Sequence, residues 1–125
     1  MATCIHQYRS DHICNSEVTF EHALKHAGKQ VNELWAIVPC CRSMNNDVTG
    51  EYKELNRFVA LYRLRFFGFD KVDLKYPRNN FRQDFDYLLH LAKHNLFNKF
   101  DLDYDGLIDA IYGERDWLFN NGYLK

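Results

Sequence analysis

The chain is poor in the residues that loosen a polypeptide, with 2 prolines and 6 glycines among its 125 residues. That scarcity excludes a long flexible linker and points to a single domain over 1–125. Charge of one sign is also lacking. Sixteen Lys+Arg stand against 17 Asp+Glu, a formal net charge of −1, which argues against a uniformly basic coat for nucleic acid. No run of eighteen apolar residues is present, so a membrane partner is not expected. The opening Met1-Ala2-Thr3-Cys4-Ile5-His6 has no basic-then-apolar signal pattern, and the expected location is the cytoplasm. Internal repeats and low-complexity segments are missing too.

What the chain does have is aromatic residues: 10 Phe, 8 Tyr and 2 Trp. A dense core, an interface or a stacking surface would each account for them. With 46% hydrophobic residues the chain is expected to fold, and a chain of this size buries roughly two-thirds of its unfolded surface.

Cysteine is used sparingly and unevenly, at Cys4, Cys14, Cys40 and Cys41, with no CxxC pair. Together with His6 and His12 these residues lie at the two ends of a 38-residue stretch. A closed zinc site needs four Cys or His donors in tetrahedral geometry. Adjacent Cys40 and Cys41 point opposite ways on an extended chain, so one ion does not readily take both. Reduced cysteines without a metal are the other reading.

Periodicity outlines the elements. Val18-Thr19-Phe20 reads as a strand, Ala23 to Ala27 as a helical turn or loop ended by Gly28, and Leu34 to Val38 as a second strand or a short buried segment closed by Pro39. Thr49 can cap a helix over Glu51–Phe67, whose Leu55, Phe58, Val59, Tyr62 and Phe66 form one apolar stripe ended by Gly68. Lys71 to Arg82 reads as a linker. Asn79 or Asn80 then caps a helix carrying Phe81, Phe85, Leu88, Ala92 and Leu96, and a last helix is predicted from Leu107 to about Phe119. On the second long helix His90 and His94 are four apart, a spacing compatible with a metal and more often with solvent.

Thr19-Phe20-Glu21-His22-Ala23-Leu24, Gly28-Lys29-Gln30-Val31-Asn32, Trp35-Ala36-Ile37-Val38-Pro39, Cys41-Arg42-Ser43-Met44-Asn45 and Lys53-Glu54-Leu55-Asn56-Arg57 together resemble the small HNH endonucleases of phages and mobile elements. The resemblance spans roughly residues 4–67 and leaves 68–125 as a helical extension. It implies an α+β fold with a small ββα-metal-like core followed by a helical C-terminal region. It further implies a metal-dependent endonuclease acting on DNA phosphodiester bonds, in host cytoplasm if phage-encoded. His22 would be the general base, and Glu21 and Asn45 would hold Mg²⁺ or another divalent cation. Cys4, Cys14 and Cys41 would belong to a structural zinc knuckle, with Cys40 as a substitute.

The departures from the family are specific. Met44 stands where a knuckle ligand belongs, and a thioether is a poor zinc donor beside a thiolate. Ala36 stands where the family has the asparagine that orients the base, and Asn32 is four residues out of place. These departures favour the alternative of a catalytically inactive HNH-like protein that binds or inhibits a host protein or nucleic acid.

Charge separates along the chain. Residues 1–100 hold 14 Lys+Arg and 11 Asp+Glu, while 101–125 hold 2 and 6. Lys53, Arg57, Arg63 and Arg65 on the predicted helix form the expected nucleic-acid footprint, and a solvated helix face explains them equally well. Asp101-Leu102-Asp103-Tyr104-Asp105-Gly106-Leu107-Ile108-Asp109 resembles part of an EF-hand loop. Tyr112 replaces its bidentate glutamate, which argues against tight Ca²⁺ binding and for an Asx-rich turn that caps the last helix.

Overall fold

A computed structural model describes residues 3–14, 17–42 and 50–124. The chain begins with a 3-10 turn over Ile5–Tyr8 and strand β1 over Val18–His22. A short hairpin follows, made of β2 (Lys25–His26) and β3 (Lys29–Gln30). A second 3-10 turn at Leu34–Ala36 leads into β4 (Ile37–Cys41), and among the described residues four helices come after it: α1 Gly50–Phe67, α2 Phe69–Lys75, α3 Phe81–Lys93 and α4 Tyr104–Asn120. The architecture is α+β with a helical C-terminal region, as the sequence implies.

β1 and β4 pair antiparallel, with Val18 opposite Cys41 and His22 opposite Ile37. The second strand therefore starts later than predicted and passes through Pro39. Flanking ladder bonds run from Ala23 N to Ala36 O and from Arg42 N to Glu17 O, each 2.9 Å. Antiparallel alternation then makes Phe20 and Pro39 a pair without mutual hydrogen bonds, where a missing N–H removes nothing from the ladder. The segment read as a helical turn at Ala23–Ala27 is instead the β2–β3 hairpin. Its two turn residues, Ala27 (φ 51°) and Gly28 (φ 79°), both have positive φ, the twist that two-residue hairpin loops require.

α1 is the axis of the molecule. From Leu55 to Leu64 every residue except Arg57 is buried, and a helix covered on nearly all sides must lie inside its domain. Phe81, Phe85, Leu88 and Ala92 of α3 and Leu107, Ile111 and Leu118 of α4 complete the core. Much of the aromatic surplus is found there, in edge-to-face pairs such as Tyr62–Phe85 and Trp35–Phe81 with centroids 5.9 and 6.0 Å apart. Gly68 (φ 96°) ends α1 as predicted, whereas Thr49, its predicted cap, lies outside the described residues.

The predicted linker is partly helical. α2 occupies its first half, and Arg82 ties it to α3 through Asp70 and Asp73 at 2.8 and 2.5 Å. Asn79 Oδ1 accepts from Phe81 N at 2.9 Å at the start of α3. Leu96 falls off the predicted stripe, because Asn95 takes a left-handed conformation (φ 56°) and α3 has already stopped.

α4 starts three residues earlier than predicted, with Asp103 accepting from Gly106 N at 3.1 Å. Asp105 and Asp109 are thereby helical, and the alternate carboxylates of a calcium loop do not converge. Just before α4, the chain fastens the N-terminal arm. Ser10 N donates to Asp101 O (2.9 Å), Asp103 N donates to Tyr8 O (2.8 Å), and Arg9 and Leu102 form a bridge. Among the described residues no helix is long and apolar enough to cross a membrane.

Candidate functional site

Two sites adjoin the β1–β4 pair, one at the end of β4 and one at the end of β1. The first gathers the cysteines. The ligand atoms of Cys4, His12, Cys14 and Cys41 all lie within 4.8 Å of one another, and Cys41 Sγ is 3.3 Å from His12 Nε2. Cys4 comes from the residue before the first 3-10 turn, His12 and Cys14 from the loop after it, and Cys41 from the end of β4. In a tetrahedral zinc site with bonds of about 2.0–2.3 Å, neighbouring donors are roughly 3.5–3.8 Å apart, so the cluster is of the right size.

Its electrostatics point the same way. The Cys40 thiol, hydrogen-bonded to Cys4, together with nearby backbone, holds Cys4 down to about 4. Cys14 is pushed up to about 12 by desolvation and by Cys4 and Cys41. Three sulfurs this close cannot all ionise unless a cation shares their charge, which is what a soft divalent metal supplies. The cluster can hold such a metal.

The predicted zinc residues Cys4, Cys14 and Cys41 are thus brought together, and His12 completes the four. Position 44, which the resemblance makes the remaining ligand, lies outside the described residues. Cys40 is not in the donor set. It is fully buried behind Cys4, with its own thiol pushed up by that hydrogen bond and by burial. Adjacent residues of β4 face opposite ways, which separates Cys40 from Cys41. The signal for His12 was its spacing, since His12 and Cys14 two apart on extended chain reach the same side.

The second site is a cleft of about 320 Å³ lined by Glu21, His22, Lys25, Lys53, Asn56 and Arg57. Glu21 and His22 are neighbours on a strand and would diverge within a flat sheet. His22 is the last residue of β1, and there both side chains reach the cleft. Burial raises the Glu21 carboxyl above its ordinary value, with Lys53 opposing the rise. His22 Nε2 makes a long 3.4 Å contact with Asn32 Oδ1. Asn32 therefore stands beside the imidazole, while Ala36 is fully buried in the core. Asn45, the other predicted cation ligand, lies outside the described residues.

Asn56 is the residue that sequence reasoning missed. It is 3% exposed on α1 and its Nδ2 donates to Glu21 Oε2 at 2.5 Å. The available signal was a polar side chain one residue from the apolar stripe.

The predicted basic footprint divides. Lys53 and Arg57 line the cleft, joined by Lys25 from the hairpin, and Arg57 also pairs with Asp84 at 2.8 Å. Arg65 is two turns further along α1 and lies over the rings of Tyr62 and Phe85. Arg63 is withdrawn from any surface: it is 4% exposed, binds Glu114 at 2.5 Å and donates to Ile37 O at 2.6 Å. His90 and His94 are both exposed, with ring centroids 4.8 Å apart.

Comparison of the chain with protein-family models, with curated proteins and with solved structures gives no match.

Proposed function

We propose that the cleft hydrolyses DNA phosphodiester bonds with the help of a divalent cation such as Mg²⁺, and that the Cys/His cluster holds a structural zinc. The observation that supports this reading best is the meeting of one carboxylate, one imidazole and three cations in a single cleft. Lys25, Lys53 and Arg57 neutralise backbone phosphates. His22 takes the proton from the attacking water, with its imidazole as the general base of the cleft. Glu21 would hold the cation, since Mg²⁺ is commonly bound by one or two carboxylates together with water and substrate phosphate. Once bound, the cation polarises the phosphoryl group and stabilises the leaving oxygen. Cys4, His12, Cys14 and Cys41 would hold zinc as a closed four-ligand site. The resemblance to HNH endonucleases assigns the same roles to Glu21 and His22.

The test is nicking of supercoiled plasmid in Mg²⁺ or Mn²⁺. His22→Ala is expected to lower the rate by about 10²–10⁴-fold. Undiminished cleavage by that variant would sink the assignment. A second reading is an inactive HNH-like protein that binds a host protein or nucleic acid. It is favoured by the engagement of Asn56 with Glu21 and of Arg57 with Asp84. That reading expects intact plasmid with every divalent ion and stable complex formation with a host component.

A further inference from the structure

A chain of largely buried hydrogen bonds runs from the N-terminal arm to the cleft. Arg9 Nη1 lies 2.9 Å from His6 Nδ1, and His6 Nε2 lies 2.7 Å from Asn56 Oδ1. Asn56 Nδ2 lies 2.5 Å from Glu21 Oε2. His6, Asn56 and Arg9 are 0%, 3% and 5% exposed.

Donor and acceptor roles follow from elementary chemistry. A guanidinium only donates, so His6 Nδ1 accepts. A neutral imidazole that accepts at Nδ1 carries its proton on Nε2, which therefore donates to the Asn56 oxygen. The Asn56 amide nitrogen is left to donate to Glu21. Every member has one orientation, fixed at the Arg9 end. Arg9 is itself anchored, with Nε donating to Asp11 Oδ1 at 2.8 Å and its guanidinium 3.8 Å from the centroid of the Tyr52 ring. His6 lies two residues after Cys4, and Arg9 three before His12. The arm that brings three donors to the metal cluster therefore also carries the start of this chain.

We propose that Arg9, His6 and Asn56 are positioning residues that fix the Glu21 carboxylate and couple its geometry to the metal-bearing arm. The proposal rests on the reading of Glu21 as the cation ligand of the cleft. It assigns Asn56 a role other than ligand, because its carbonyl is taken by His6 and its amide faces Glu21. Partners that orient a ligating carboxylate in this way commonly change metal affinity about 10–100-fold when altered.

Three variants and one spectrum test this. Mn²⁺ binding to zinc-loaded protein is followed by electron paramagnetic resonance, with zinc content and thermal melts checked for each variant. Asn56→Asp replaces the donor to Glu21 by a second carboxylate. The proposal expects Mn²⁺ affinity to fall about 10–100-fold, whereas a ligand at position 56 would bind as tightly or more tightly and overturn it. His6→Leu, folded and zinc-loaded, is expected to lose affinity similarly, and His6→Gln, which keeps a donor, to recover much of it. Unchanged affinity in His6→Leu overturns the proposal. In a two-bond ¹H–¹⁵N spectrum His6 is expected to carry its proton on Nε2, and a proton on Nδ1 overturns the chain of donors. If the unaltered protein neither binds Mn²⁺ at the cleft nor cuts DNA, the proposed function falls, and the His6 spectrum alone decides whether the positioning chain exists.

Discussion

Arg63 leaves the surface because α1 is enclosed on almost every side, so a cation at that helical position must find a partner indoors. Glu114 provides it, with both side chains 5% exposed, and two main-chain carbonyls take further donors. Burial lowers the Arg63 pKa, with Glu114 opposing that shift. A buried pair of this kind is costly to break and much less costly to replace. Arg63→Met alone should destabilise by about 3–5 kcal/mol, since it strands a carboxylate in the core. Arg63→Met combined with Glu114→Leu should recover most of that loss. Urea midpoints of the two single variants and the double variant check this, and additive losses would refute it. The same enclosure explains why Asn56 escaped sequence reasoning. Composition records that an asparagine is present, but only packing shows that both ends of its amide are engaged.

Among the elements, the β2–β3 hairpin places Lys25 in the cleft, and its turn carries a cost. Ala27 is a Cβ-bearing residue at φ 51°, a region that disfavours L-residues by roughly 1–2 kcal/mol and that asparagine tolerates better. Ala27→Asn should therefore raise stability by about 0.5–1 kcal/mol, read as a higher melting temperature. An unchanged or lower value would count against this turn geometry. The hairpin also shows where local pattern reading stops. Long helices are recoverable from sequence because their apolar spacing repeats over several turns, as in α1 and α3. Two-residue strands contain no period, and Ala23 to Ala27 favours helix on propensity alone. Likewise a proline marks a strand's end only if its nitrogen faces the partner strand, and Pro39 faces away. Three of the four cluster donors were identifiable from cysteine placement. His12 was one of two nearby histidines, and the 3-10 turn sends the other, His6, toward Asn56.

For the molecule as a whole, the separation of charge survives folding in altered form. Asp105, Asp109 and Asp116 remain exposed on α4, while Glu114 is drawn inward to neutralise a residue of α1. The basic contribution to the cleft comes from the hairpin and the first turns of α1. The Cys/His cluster sits at the margin of the main core, its Cys4 and Cys41 grouped with Cys40 and Tyr52. Chelation should therefore loosen the arm before it dismantles the helices. The expected result is a melting temperature lowered by several degrees, at about 3–6 °C per kcal/mol for a chain of this size, with the far-ultraviolet helical signal retained at room temperature. An identical melting curve before and after metal removal would contradict a structural metal.

The fastening of Tyr8–Ser10 by Asp101–Asp103 has a consequence in time. Ser10 Oγ accepts from Asp101 N across 91 positions of sequence, and contacts this distant form late, after most of the chain is available. A ribosome delivers Cys4, His12 and Cys14 first, yet the segment that pins their arm emerges only after residue 100. The Cys/His cluster is then among the last features to be completed during synthesis, and a nascent chain halted before Asp101 would display its thiols without the frame that gathers them.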